Sequence, residues 1–515
     1  VNLRPYQEEC CERVIAGFRE FSKLLAVVPT GGGKTIIFSH LAARASGRTL
    51  IIAHREELIQ QAKDKLERAT GLRAEIERAD ERASLEARVV VASIQTLWRR
   101  FDRFPQNHFS LGIVDEAHHV MADSYQGPLS YFAGGGMKVL GVTATPGTKG
   151  KKALGNFFED IAFEIGLLDL IRAGFLSGIT VKAFPLHVDL PLELRGADYD
   201  QDAIDHALAP YLENIVARLG AEIGDRKTLV FLPLVKTVHR FVALCRAHGL
   251  TAEGVWGDCD DRETVLAGHG SRFQILANSM LLTEGYDDPS IRCILPLRPT
   301  RSEILFSQIV GRGTRVFCPW GCTQRCEHSA RKKDLLLLDP LWLHTDLALV
   351  RPARLVTGHD EDARSITERL EAAHEQIDLL MALADAEHER EKKLAEKLSK
   401  LGKRKGRTMS IEEIAVKLHI PDLADFEPTM RWHEKKPTEK QLETMEKAGI
   451  DPSTVTSRGH ASKLMDEMAK RRERGLCTFK QMRMLERFGV KDAEHIKFAE
   501  ASAMLDERLK KKEAA

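Results

Sequence analysis

Short apolar runs, each followed by a segment with helical spacing of apolar positions, recur from the start of the chain. Leu24–Val28, Thr49–Ala53, Arg88–Ala92, Leu111–Asp115 and Val139–Thr143 have the length and β-branched content of buried strands. Lys34–Ala45 and Glu56–Ala69 fit helices between them. Strands alternating with helices predict a parallel sheet covered on both faces. The pattern restarts with Thr228–Leu232, Phe273–Asn278, Cys293–Leu297 and Leu335–Asp339, so a second doubly wound α/β domain is expected, joined near Gly166–Ile179. After about Arg354 the strand signal stops, and Ser365–Ser399 reads as one long helix ending in the basic stretch Lys403-Arg404-Lys405-Gly406-Arg407. Pro421, Pro428 and Pro437 punctuate a linker. Beyond it Thr438, Lys440, Gln441, Glu446 and Gly449 recur with a period of 40 as Thr478, Lys480, Gln481, Glu486 and Gly489. That repetition predicts two copies of a small helical unit. The expected division is 1–165, 166–354, a helical linker at 355–430 and the repeats at 431–515.

Composition narrows the classes. The chain has 515 residues, 43% of them hydrophobic and 29% charged, as in a soluble globular protein. No apolar run approaches the roughly 20 residues that span a bilayer, and Val1–Gln7 lacks the pattern of a signal peptide. A cytosolic protein without a membrane partner is therefore expected. The net charge of +1 neither supports nor excludes a nucleic-acid partner, which needs only a local basic track. The nine cysteines are scattered except for Cys318, Cys322 and Cys326, and read as reduced thiols.

Three motifs carry chemistry. Pro29-Thr30-Gly31-Gly32-Gly33-Lys34-Thr35 follows a strand and opens a helix. Its glycines let backbone N–H groups converge on phosphate oxygens, Lys34 reaches the β- and γ-phosphates, and Thr35 serves Mg²⁺. Val28 stands where the general phosphate-loop pattern has glycine, and the plain alternative is a glycine-rich turn. Asp115-Glu116-Ala117-His118 ends another strand, where Asp115 would hold Mg²⁺ and Glu116 would orient or deprotonate water. Gln308-Ile309-Val310-Gly311-Arg312-Gly313-Thr314-Arg315 offers guanidinium groups for the charge that builds on a transferred phosphoryl group. Spaced three apart on an expected helix, Arg312 and Arg315 would share a face.

In order, Leu3-Arg4-Pro5-Tyr6-Gln7, PTGGGKT, Ala53-His54-Arg55-Glu56-Glu57-Leu58, Ser93-Ile94-Gln95-Thr96, DEAHH at Asp115–His119 and Thr143-Ala144-Thr145-Pro146 resemble domain one of a superfamily 2 helicase. Thr283-Glu284-Gly285-Tyr286-Asp287-Asp288-Pro289, Arg298-Pro299-Thr300 and Gln308–Arg315 resemble domain two. The similarity covers roughly residues 1–350 and is greatest to DEAD/DEAH-box helicases of the RadD-like and phage type, related to restriction helicase subunits. It implies two tandem RecA-like domains and ATP with Mg²⁺. It also implies a nucleotide site of Gln7 (adenine), Thr30, Gly31, Gly32, Gly33, Lys34, Thr35, Gly285 and Asp287. Lys34, Asp115, Glu116, Gln308, Arg312 and Arg315 would form the catalytic set. Thr143 and Thr145 would couple hydrolysis to domain movement. Arg55, Gln95, Thr96 and Thr283 would touch a nucleic-acid backbone, with weak sequence preference.

Cys318, Cys322, Cys326 and His328 could supply four zinc ligands. An iron–sulfur cluster and free thiols remain as alternatives. The basic stretch is either a solvated helix end or part of a nucleic-acid track, and the repeats either pack, dock a protein partner or bind nucleic acid. The expected function is an ATP-dependent helicase or translocase, on DNA in preference to RNA. The alternatives are the motor subunit of a restriction or defence complex that translocates without unwinding, and a non-catalytic clamp.

Overall fold

The central strands are apolar on both faces. Thr49–Ala53, Val89–Ser93, Thr228–Phe231, Ile275–Asn278 and Cys293–Pro296 are buried at every position. Such strands are stable inside a parallel sheet with helices on both sides. The computed structural model describes residues 2–513 apart from 55, 145–152, 185–193, 196–197, 258, 280, 284–285, 323–325, 329–330, 341–349, 358, 373–375, 401–407, 419, 421–422, 425 and 491. Arg55, Thr145, Gly285 and the basic stretch at 403–407 therefore lie outside the described residues.

The first sheet contains β1 (Lys23–Val27), β2 (Thr49–Ala53), β3 (Ala74–Glu77), β4 (Val89–Ser93), β5 (Leu111–Asp115), β6 (Lys138–Thr143) and β7 (Asp160–Glu164). All pairings are parallel, in the order β3-β4-β2-β5-β6-β1-β7. Asp115 at the end of β5 pairs with Val142, and Thr143 on β6 pairs with Val27 at the end of β1. The loops that leave β1, β5 and β6 thus open side by side. The two edge strands β3 and β7 were not among the expected ones. Ala-Glu-Ile-Glu and Asp-Ile-Ala-Phe-Glu carry the charge of edges and lack an apolar run.

β8 (Gly178–Ala183) begins the second sheet. A small antiparallel hairpin of β9 (Leu194–Arg195) and β10 (Asp198–Tyr199) follows. The sheet then adds β11 (Thr228–Phe231), β12 (Ala252–Val255), β13 (Ile275–Asn278), β14 (Cys293–Pro296), β15 (Asp334–Asp339) and β16 (Ile377–Asp378). Its order is β12-β13-β11-β14-β15-β8-β16, parallel except for β16, which runs antiparallel to β8. Val230, Ile275, Leu295 and Leu336 pack with Ile215, Leu219 and Phe241 from the helices Leu212–Ile223 and Val235–Ala247.

The expected helix Ser365–Ser399 is corrected. Two helices, Asp360–Ala372 and Leu379–Lys400, occupy this region, with β16 between them. Asp378 is the physical reason: its carboxylate accepts from Leu380 N at 2.8 Å and Met381 N at 3.1 Å, an N-cap that starts a new helix.

Two compact units divide the chain: residues 1–150 with 157–383, and residues 384–515 with the segment 151–156. Described elements of the second unit include the helices Ile411–Lys417, Glu439–Ala448, Arg458–Glu473, Phe479–Arg487 and Phe498–Glu513. The sequence repeat is a structural one. Thr438 and Thr478 each cap a helix by accepting from the N–H of Gln441 and Gln481, and Gly449 and Gly489 follow those helices at φ +84° and +79°. Met445 and Ala461 recur as Leu485 and Ala501 in one shared core. Among the described residues no helix is long and apolar enough to cross a membrane.

Candidate functional site

Backbone handedness shapes the first part of the site. β1 leads through residues 28–33 into the helix Lys34–Arg44, and Gly31 and Gly33 stand at φ +86° and +79°, conformations that side chains resist. Gly32 is required by space: a Cβ there would lie 2.7 Å from Val28 Cγ1 and 3.0 Å from Pro29 O. Val28 therefore forms the floor beneath Gly32. The Tyr6 hydroxyl donates to Gly32 O at 2.7 Å and Gln7 Nε2 donates to the same oxygen at 3.2 Å. Gln7 Oε1 accepts from Arg4 N at 2.9 Å, which fixes the amide beside the loop. Thr35 lies in the first turn of the helix, where its carbonyl accepts from Ser39 Oγ.

Lys34 Nζ meets Glu116 Oε1 at 2.8 Å, with side chains only 12% and 10% exposed. Glu116 N donates to Asp115 Oδ1 at 3.0 Å at the end of β5. Glu116 occupies the left-handed region at φ +50° and ψ +56°, a conformation that costs a non-glycine residue on the order of 1–2 kcal/mol. Burial alone would raise its carboxyl pKa. The Lys34 ammonium and then the His118 ring outweigh that and hold it far below the usual carboxylate range.

The helix Glu303–Gly311 ends before the arginines do. Arg312 caps it, and Arg315 lies beyond in an extended segment bridged antiparallel to Leu176. Ser177 N donates to Thr314 O at 2.7 Å and Ser177 Oγ to Arg315 O at 3.1 Å. This corrects the expectation of a shared helical face. Pairing with Leu176 and Ser177 holds residues 314–315 extended past the helix end, and Gly313, where a Cβ would overlap Leu335, packs closely between. Arg312 donates to the carbonyls of Thr283 at 3.1 Å and Tyr286 at 2.8 Å. Arg315 pairs with Asp287, which also meets Lys65 Nζ at 3.2 Å.

The arginine segment lies against the phosphate loop. A Cβ on Gly31 would stand 3.3 Å from Thr314 Oγ1 and 3.5 Å from Arg315 Cγ, and one on Gly311 would overlap Thr30. Burial pushes the Arg315 guanidinium down to about 10. Burial, with Arg315 and Arg312 nearby, pushes Lys65 down to about 8. Thr30 Oγ1, Thr143 Oγ1 and Gln308 Nε2 are buried with no hydrogen-bond partner among the described residues. Those polar atoms, the glycine loop at the start of the helix Lys34–Arg44 and the Arg315 guanidinium suit a polyphosphate ligand.

The expected backbone-contact residues that the structure describes come from both sheets' sides. Gln95 is exposed and donates to His54 O at 2.9 Å, Thr96 Oγ1 accepts from Ala79 N at 3.0 Å, and Thr283 is buried on the second sheet's side. Sequence reasoning missed Tyr6, Lys65 and His118 as parts of the site. Tyr6 could have been read from its place beside Gln7, whereas only tertiary structure brings Lys65 to Asp287 and turns His118 to Glu116.

Near the arginine segment, the ligand atoms of Cys318, Cys322, Cys326 and His328 lie within 4.8 Å of one another. His328 Nδ1 is 3.4 Å from both Cys318 Sγ and Cys322 Sγ, and its ring stacks on Trp320 at 4.9 Å. Ligands around one zinc stand roughly 3.5–4 Å apart, given metal–ligand bonds of about 2.0–2.3 Å. The donor set and spacing fit that ion.

Residues 1–148 match the family described as the res subunit of type III restriction enzymes. The ATP-dependent helicase candidate Irc3 of Saccharomyces cerevisiae is 30% identical over 61% of this chain and 49% of its own. A mitochondrial counterpart in Schizosaccharomyces pombe is 32% identical over 66% of this chain and 57% of its own. The chain thus spans about half the length of these relatives. Among solved structures, a fragment of a candidate HsdR subunit of a type I restriction enzyme from Vibrio vulnificus aligns with TM-score 0.52 at 21% identity, over 65% of this chain and 63% of that one. The DNA-bound restriction–modification enzyme LlaBIII aligns with TM-score 0.50 at 15% identity, over 96% of this chain and 43% of that one. Both likenesses are of fold.

Proposed function

We propose that this chain, a member of helicase superfamily 2 related to the restriction-enzyme motor subunits, hydrolyses ATP to move along and unwind DNA. The observation that carries the reading is one site: Lys34 and Glu116 at 2.8 Å, with the Thr314–Arg315 segment lying on the same glycine loop. Lys34 and the loop N–H groups bind the β- and γ-phosphates, and Gln7 reads the adenine. Thr35 and Asp115 would hold Mg²⁺, which neutralises phosphate charge when bound. As the phosphates engage Lys34, Glu116 loses its present partner and turns to the attacking water. Arg315 exchanges Asp287 for the γ-phosphate, with Arg312 holding the carbonyls of Thr283 and Tyr286. Gln95 and Thr96, with Arg55, follow the nucleic-acid backbone, and the buried Thr283 would have to be uncovered to join them.

The restriction-subunit match over residues 1–148 favours one further reading, translocation without strand separation. Hydrolysis measured with single-stranded DNA, duplex DNA and RNA, alongside strand displacement, decides. DNA-stimulated hydrolysis with displacement is expected. Stimulation without displacement supports the translocase, and turnover indifferent to nucleic acid overturns both.

We read the Cys/His group as one structural Zn²⁺ site. Three thiols and an imidazole match a closed zinc set, whereas iron–sulfur clusters are usually held by four thiolates. Protein purified without a histidine tag should carry about one equivalent of zinc and lose it in Cys322→Ser. An iron-containing brown preparation would overturn this. None of the nine cysteines is paired in a disulfide, which suits a reducing compartment such as the cytosol.

A further inference from the structure

The loop that carries the Cys/His group returns to β15 through a buried lysine. Lys332 is 2% exposed, and its Nζ donates to Arg315 O at 3.1 Å and to Gly313 O. Its backbone N donates to Phe317 O at 2.9 Å, so it closes the base of the loop beside Cys318. Among the described residues its Nζ hydrogen-bonds only carbonyls; burial pushes the group down to about 7, with Asp288 and Asp334 acting in the direction of its charged form. The two carbonyls flank Thr314 on the segment that lays Arg315 on the phosphate loop. Gly313 has no side chain to hold that segment, and Ser177 Oγ shares the Arg315 carbonyl with Lys332, whose Nζ also takes Gly313 O. Together with Ser177 and the bridge to Leu176, the Lys332 amine fixes this backbone, and it is the group that ties it to the base of the Cys/His loop.

We propose that Lys332 is a positioning residue for ATP hydrolysis, and that the zinc loop of Cys318, Cys322, Cys326 and His328 clamps it in place. Metal occupancy then sets how well Arg315 is aimed. This rests on the motor reading and on zinc occupancy, and each fails separately in the test. Misplacing a catalytic group by about 1 Å costs roughly 100-fold in rate. In the full chain, Lys332→Met should therefore lower kcat by about that factor, with KM for ATP within a few-fold of wild type and zinc retained. Lys332→Ala should behave likewise and regain part of its kcat in ethylammonium, which restores the missing cation. Stripping zinc from wild type with phenanthroline in Mg²⁺ buffer, followed by metal analysis and thiol titration, should lower kcat reversibly. The same treatment should have little further effect on Lys332→Met, because the two losses act through one contact. Wild-type kcat in Lys332→Met would overturn the proposal. So would parallel loss of zinc, nucleotide affinity and kcat in both variants without amine rescue, which marks a general folding role. A zinc-free wild type with an impaired Lys332→Met removes the clamp and keeps the positioning residue. A wild type that hydrolyses no ATP overturns the motor reading instead.

Discussion

Glu116 combines a left-handed backbone with a carboxylate that is nearly out of solvent. Both are costly, and the Lys34 ammonium is what makes the ionised form stable. Because the folded carboxyl is held below its unfolded value of about 4.3, the pair stabilises the protein above that pH. The contribution is lost as pH falls through the folded value. Acid in the range where ordinary carboxylates titrate should thus leave Glu116 charged. Glu116→Gln should keep ATP affinity and lower kcat by about 10²–10⁴-fold, the range for a lost general base. Lys34→Ala should lose nucleotide affinity first. Steady-state hydrolysis paired with equilibrium nucleotide binding separates the two, and normal turnover in both variants would remove these residues from the site.

At the scale of elements, the segment after the helix Glu303–Gly311 departs most from the helical expectation. An extended strand-like stretch, bridged to Leu176, carries Arg315. Arg315→Ala should lower kcat by about 10³–10⁵-fold, as arginine-finger losses do, with ATP affinity near normal. A loss confined to KM would contradict that role. In the second unit, His433 Nδ1 accepts from Thr429 N at 3.1 Å and Met430 N at 3.3 Å, and burial holds the ring down to about 4. Backbone N–H groups only donate, so this ring must be neutral to accept them. Between about pH 6.5, the unfolded value, and the folded value the unfolded chain binds more protons. Stability therefore falls as pH drops through that window. The unfolding midpoint should fall by roughly a few degrees from pH 7 to 5, and His433→Asn, which keeps an acceptor, should flatten that dependence. Equal slopes in the two proteins would contradict it.

For the whole molecule, every residue proposed for ATP chemistry and for zinc lies in residues 1–383, within the first compact unit. A chain ending at Leu383 should keep basal hydrolysis within a few-fold and about one zinc, while its affinity for DNA or its stimulation by DNA falls. If basal hydrolysis collapsed while the shortened chain still melted cooperatively, the separation of motor and C-terminal roles would be wrong. The repeats around Thr438 and Thr478 form one core, so removing the second copy alone should unfold the first. Limited proteolysis would detect this.

The sequence by itself determined the two sheets and their order of motifs, because a strand buried on both faces needs an unbroken apolar run and phosphate loops need glycine. It also determined the repeat, whose caps and glycines act within a few residues of one another. Edge strands such as β3 and β7, the break at Asp378 and the end of the helix before Arg312 were not legible in that way. Edges carry mixed polarity, and the segment past the helix is held extended by Leu176 and Ser177, residues distant in sequence. Lys65 beside Asp287, His118 beside Glu116 and Lys332 beneath Arg315 were decided only by tertiary structure. A charged side chain looks the same in sequence whether it faces water or a buried partner. Only tertiary packing decides which.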